Sequence, residues 1–161
     1  MSGSRRVAIT CGINLAVVMA LSLTTWAQTA KNGSARERLI GAWHLVRIDA
    51  PGADGKPAPA PQPTGMLVYT QDGHMSVQLM YPASANTLSN EYVQNGYEAS
   101  FGSYDVDEAA RTVTHHVQGS VTGSRLVGKD LPRKFEFTAD GRLTIRSTSP
   151  DEHWAVIWDH Y

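Results

Sequence analysis

The chain has 161 residues, 42% apolar and 18% charged, which is the size and balance of one globular domain rather than of a disordered chain or of two domains. Fourteen Lys and Arg against fifteen Asp and Glu give a formal charge of −1. No basic surplus exists to displace counterions from a phosphate backbone, so nucleic acid is not expected as a partner. A single cysteine, Cys11, excludes an intrachain disulfide and any cysteine-built zinc or iron–sulfur site.

The amino terminus reads as an address. Arg5 and Arg6 precede an apolar run from Ile13 to Leu23, and Thr25-Trp26-Ala27 offers a small-residue cleavage site, so residues 1–27 are expected to be a secretory signal peptide. The run has eleven residues, short of the ~20 that a bilayer-spanning helix needs, so no stable membrane span is expected after cleavage. Ser4-Arg5-Arg6 also looks like a twin-arginine start, but Ala8 stands where Phe is usual, which favours the general export route. The expected destination is the periplasm or the medium. Cys11 leaves with the signal.

Residues 28–34 form a polar linker, and 35–161 the folded domain. Ala35 to Ile40 suits a short helix that Gly41 stops. Period two then takes over: Trp43, Leu45 and Arg47 alternate with Ala42, His44 and Val46, Leu67 and Tyr69 with Met66 and Val68, and Met75, Val77 and Leu79 with His74, Ser76 and Gln78. Thr70-Gln71-Asp72-Gly73-His74 places Asp-Gly between two such strands, a hairpin signal because Gly accepts the positive φ the turn demands. Ala139-Asp140-Gly141-Arg142 repeats it between Lys134–Thr138 and Leu143–Ser147. Further strands are predicted at Gly102–Val106, Thr112–Ser120 and Trp154–Trp158. Two segments break the pattern. Pro51 to Pro63 holds five of the eight prolines, whose backbone lacks donors, and is predicted as an extended surface loop rather than a strand. Ser89 to Ala99 spaces Tyr92, Val93 and Tyr97 along one helix face behind Ser89 as N-cap, which predicts a short helix across an opening. The fold class is therefore mainly β, a single antiparallel sandwich or barrel with one or two short helices.

Three stretches together carry a resemblance: Leu39-Ile40-Gly41-Ala42-Trp43-His44-Leu45-Val46, Gly65 through Leu79, and Gly102-Ser103-Tyr104-Asp105-Val106-Asp107-Glu108 leading into Thr112–Val117. In order and spacing the chain resembles the bacterial and fungal lipocalin-like domain family, whose barrels are of the calycin type, and Gly41-Ala42-Trp43 fits the Gly-X-Trp signature of lipocalins at large. The resemblance implies a closed up-and-down β-barrel with an apolar cup. It also implies an arginine from a late strand laid over the tryptophan, for which Arg133 and Arg146 are both candidates. The chain differs from secreted animal lipocalins in being short and without a disulfide.

In a barrel, alternation becomes a list of lining residues. His115 shares the side of Val113 and Val117, while His116 faces away with Thr114 and Gln118, so the adjacent histidines cannot serve one metal from a regular strand. No metal site and no cofactor are expected. Arg133 shares a side with Phe135 and Phe137, and a buried guanidinium needs a partner: a structural acceptor, the Trp43 ring, or the anionic head of a bound acid. Trp43, Tyr69, Met75, Tyr97, Tyr104, His115, Arg133 and Phe135 are the candidate ligand-binding residues, with Tyr92 as a further source of a hydroxyl. No Gly-X-Ser-X-Gly elbow, phosphate-binding loop, dinucleotide fingerprint or His-Glu-X-X-His motif occurs. Two functions fit. One is an exported module that holds a small apolar or amphipathic molecule in the barrel. The other is a cofactor-independent isomerase or cyclase in which His115, the candidate catalytic residue, moves a proton while Arg133 stabilises an enolate-like oxygen.

Overall fold

A computed structural model describes residues 33–51, 57–59, 63–83 and 89–161; the expected signal peptide lies outside them. The first element is helix α1, Ala35–Leu39, opened by a reciprocal capping box: Ser34 Oγ accepts from the Glu37 amide at 3.2 Å, and a Glu37 carboxylate oxygen accepts from the Ser34 amide at 2.9 Å. No helix of the described residues is long and apolar enough to cross a membrane.

Among the described residues nine strands follow: β1 (Gly41–Pro51), β2 (Pro57–Pro59), β3 (Thr64–Tyr69), β4 (His74–Met80), β5 (Tyr97–Asp107), β6 (Thr112–Ser120), β7 (Asp130–Phe137), β8 (Leu143–Ser147) and β9 (Ala155–His160). All pairings are antiparallel. From β3 to β9 each strand pairs with its successor, and β1 pairs with both β3 and β9, which closes an eight-stranded up-and-down barrel. The expected fold class is the one observed, with α1 and a 3₁₀ turn at Ser124–Leu126 as the short helical pieces.

Both predicted Asp-Gly hairpins form, and they share one construction. The Thr70 and Thr138 amides each donate to the carbonyl of the residue four ahead at 2.9 Å, and each hydroxyl accepts from that residue's amide at 3.0 Å and bonds the turn aspartate, Asp72 or Asp140.

Three expectations need correction. Pro57–Pro59 is a strand, pairing Ala58 with Ala50. Prolines at alternate positions leave a donor only on Ala58, which an edge strand tolerates. The helix predicted at 89–99 does not form, because Asn95 and Gly96 both take positive φ (53° and 82°) and make a two-residue turn closed by paired bonds between Gln94 and Tyr97. That is the Asn-Gly hairpin signature, and it starts β5 early. In β1 the ladder with β9 slips between Leu45 and Arg47. The extra residue reverses the parity: Ile48 is buried, and Arg47 turns out to pair with Asp49 at 3.0 Å.

The barrel has a packed end and an open end. Leu39 of α1 is fully buried in a cluster with Trp43, Tyr69, Met75, Tyr104, Val113, Phe135 and Leu143. The Trp43 indole N–H donates to the Leu39 carbonyl at 2.8 Å and fastens the helix over this floor. No arginine of the described residues covers Trp43, contrary to what the resemblance implies. Its ring meets His160 edge-on at 4.6 Å and Phe137 at 6.2 Å, while Arg133 lies elsewhere and Arg146 is exposed beside Glu136. Gly41, at φ +133°, makes room for this, since a Cβ there would stand 2.3 Å from His160 Nε2.

Candidate functional site

At the end away from α1 the strands enclose a cavity of about 260 Å³. Its wall is apolar over most of its area, from Leu67, Val77, Leu79, Val117, Ile145 and Val156, with Trp154 and Trp158 from the last strand and the segment before it. The segment 89–96 crosses beside it. Asn90 Oδ1 accepts from the amides of Tyr92 and Val93 at 2.8 Å, an Asx turn that sets Tyr92 and Val93 against the cavity. A helix was the wrong shape for this stretch, but its place at an opening is the expected one.

Tyr81, Asn90, Tyr92 and Ser100 interrupt the apolar wall, and so do four groups whose chemistry bears on the site. Arg133 enters from β7, on the buried side of the strand with Phe135, and is 9% exposed. It donates to the Tyr92 hydroxyl at 3.1 Å and to the Pro132 carbonyl at 3.2 Å, and its guanidinium carbon lies 5.0 Å from the Trp154 ring and 5.5 Å from that of Tyr92. Among the described residues no carboxylate comes within 4.0 Å of it. The cation is thus held by a hydroxyl, a carbonyl and two aromatic faces.

His115, the second, lies on the buried face of β6. Its Nε2 is 2.6 Å from the Tyr69 hydroxyl, a bond across the barrel interior between β3 and β6. Burial, then the positive charge of Arg133, pushes its pKa down to about 3, so the ring is neutral through the physiological range. His116 faces out, with Nδ1 at 2.6 Å from Asp130 and Nε2 at 3.0 Å from Asp105. Strand parity separates the two imidazoles as the sequence requires.

The third group is Glu98, which sequence reasoning missed. It pairs in register with inward-facing Leu79 and lines the cavity. Burial pushes its carboxyl up to about 7, with Arg133 opposing the rise. The fourth is the Trp158 indole N–H. It is buried and, among the described residues, has no hydrogen-bond partner.

Of the predicted site residues, His115 and Arg133 line the cavity. Trp43, Tyr69, Met75, Tyr104 and Phe135 are packed in the core, but they do not line the cavity. Tyr69 is one hydrogen bond removed from the cavity, and the Tyr104 hydroxyl donates to the Thr70 carbonyl at 2.9 Å. Tyr97 is 52% exposed and borders an outer groove with Met66, Met80 and Phe101. Reading Asn95-Gly96 as a turn would have exposed Glu98: from inward Tyr104, parity along β5 leads back through Gly102 and Ser100 to it.

Comparison with known proteins agrees with this architecture. The family model described as a lipocalin-like domain matches residues 40–158. No curated protein is similar enough to count as a match. Among solved structures, a crystal structure of a mutant of the fluorescent protein UnaG is similar at 16% identity, covering 78% of this chain and 97% of that one with a TM-score of 0.39. With a family model spanning β1 to β9, the chain belongs to the lipocalin-like domain family.

Proposed function

We propose that this protein binds a small apolar or amphipathic molecule in the barrel cavity, with Arg133 at its polar end, and that it works outside the cytoplasm after export. The observation that carries the reading is a hollow of about 260 Å³ with an apolar wall and a nine-tenths buried arginine lacking a carboxylate partner among the described residues. An apolar cavity of roughly 150 Å³ accommodates benzene, so this one suits a molecule of about ten heavy atoms. At usual efficiencies such a ligand gains on the order of 5–8 kcal/mol, a dissociation constant in the micromolar range. Arg133 is oriented by Tyr92 and Trp154 before any ligand arrives, which lowers the entropic cost of capture.

Support for the isomerase or cyclase alternative is weaker. Its proton carrier, His115, is engaged with Tyr69 and kept neutral by burial.

Native mass spectrometry of freshly purified protein tests the binding reading: a co-purifying small molecule is expected, and it should be missing from Val117→Phe, which fills the cavity. Protein that carries nothing and takes up no small aromatic compound would remove the reading. The export part is checked by the mass of the protein as isolated from its host, which should lack residues 1–27. A full-length cytoplasmic chain would refute it.

A further inference from the structure

Arg133, Glu98 and Trp158 meet at one cavity, and together they specify more than an amphipathic guest. Trp158 Nε1 is a donor without an acceptor among the described residues, on a side chain only 2% exposed. Arg133 uses two of its nitrogens on Tyr92 and Pro132 and retains further N–H donors. Both groups can only donate. Glu98 is the exception, since a carboxylate accepts and a carboxylic acid donates. It faces the cavity, and burial there favours the neutral acid form. With Glu98 protonated, the cavity is lined by three donor-bearing side chains, one of them with an unpartnered N–H, a set that suits an anionic oxygen pair.

We propose that the cavity takes a compact monocarboxylic acid of about ten heavy atoms, its carboxylate held by Arg133 and the Trp158 indole, with Glu98 as the residue that shares a proton with it. The inference rests on the binding reading above and adds the ligand class. The titratable and charged groups that line the cavity with Glu98 are Arg133 from β7, His115 from β6, Tyr81 just after β4 and Tyr92 from the crossing segment, while Glu91 and, before β9, Glu152 act on Tyr92. Burial pushes Tyr81 up to about 12 and holds His115 neutral, and Glu152 is kept below its ordinary value by bonds from Ser147 and Trp154. Glu98 is therefore the group in this set whose charge changes near neutrality. A carboxylate entering beside an ionised Glu98 meets like charge, so each binding event above that range must take up a proton, and none is needed below it.

The test uses the full chain and three probes of one shape: naphthalene, naphthamide and naphthoate, followed by tryptophan fluorescence and calorimetry. Naphthoate should bind at least about tenfold more tightly than naphthalene at pH 6, one pKa unit's worth of discrimination. From pH 7 to 9 its affinity should fall by up to about tenfold per pH unit while that of naphthalene stays level. Calorimetry at pH 8 in buffers of differing ionisation heat should count close to one proton taken up with naphthoate. In Glu98→Gln both the fall and the proton uptake should vanish. Arg133→Gln, if it folds, should bring naphthoate down to the level of naphthalene; if it does not fold, Glu98→Gln decides. Naphthoate binding no tighter than naphthamide, or level from pH 7 to 9, would overturn the inference and leave the binding reading intact. Failure of all three probes to bind would overturn both.

Discussion

The Tyr69–His115 bond is the sharpest point at which the physical account of the barrel can fail. Tyr69 is 1% exposed and its hydroxyl lies 2.6 Å from His115 Nε2, joining strands that are not neighbours in the sheet. Tyr69→Phe keeps the ring and its edge-on contact with Tyr104 at 4.7 Å, and removes only the hydroxyl. The cost is not the net worth of one hydrogen bond but the desolvation of an imidazole nitrogen left without a partner, about 1–3 kcal/mol. His115 is 9% exposed and borders the cavity, which places the expected loss in the lower half of that range. For a domain of this size the melting temperature should fall by roughly 3–8 °C. Guanidinium unfolding followed by tryptophan fluorescence measures the loss, and an unchanged slope shows that the change is in stability rather than in two-state behaviour. The double variant Tyr69→Phe/His115→Leu provides the control. Removing both partners leaves nothing unsatisfied, so it should recover part of the sum of the single losses, a coupling of about 1 kcal/mol or more. A Tyr69→Phe protein within about 0.5 kcal/mol of the parent, or strict additivity in the double variant, would show that the bond does not brace the interior.

The remaining expectations concern pH and one turn. His115 has a folded pKa near 3 against 6.5 unfolded, so below pH 6.5 the unfolded chain takes the proton that the folded chain refuses. Its contribution is fully present above 6.5 and is lost as pH falls towards 3, with a slope approaching about 1 kcal/mol per unit, and His115→Leu should lack this part of the acid limb in denaturation curves. His116 has the opposite sign, because the hydrogen bond it donates to Asp130, with that to Asp105, raises its folded pKa. The stability it contributes is present below pH 6.5 and lost as pH rises through the raised value, so the difference between parent and His116→Ala should shrink from pH 6 to pH 9; a constant difference would argue against the clamp. Gly96→Ala places a side chain at φ 82°, which should cost about 1 kcal/mol and raise hydrogen exchange in 89–96 before the rest of the barrel; unchanged exchange would mean that the turn does not anchor the segment.

Much of the fold is legible because its signals are local. Alternation at 74–79 and 112–118 reports the pleat directly, and each Thr-X-Asp-Gly-X turn contains its own hydrogen-bonding atoms. The errors fall where two local signals compete or where a partner strand decides. Tyr92, Val93 and Tyr97 fit a helical spacing, yet Asn95-Gly96 lies between them and prefers a left-handed pair of residues, and the turn won. Pro57–Pro59 looks incapable of pairing until β1 offers Ala50 opposite its one donor. The slip after Leu45 is invisible in β1 itself, because it is defined only against β9.

The site was less legible than the fold for a different reason. Period two divides a strand into inside and outside, but a barrel also has depth, and parity says nothing about position along the axis. Every inward residue therefore looked equally like lining. Depth is set by the cross-strand register: α1 fixes the start of β1 as the floor through Leu39 and Trp43, so residues close to the turns at 70–74, 107–111 and 138–142 pack there, as Tyr69, Met75, Tyr104 and Phe135 do. Residues near the first ends of β5, β7 and β9 lie at the opposite end, and these are Glu98, Arg133 and Trp154. Glu98 and Arg133 thus come from strands that run towards the floor, whereas His115 comes from β6, which runs away from it. At that end the barrel has room that apolar side chains do not fill, so a buried guanidinium and a half-buried carboxyl can line it without direct contact. In the packed floor no such latitude exists, and the Tyr69 hydroxyl finds its partner in His115 at the edge of the cavity.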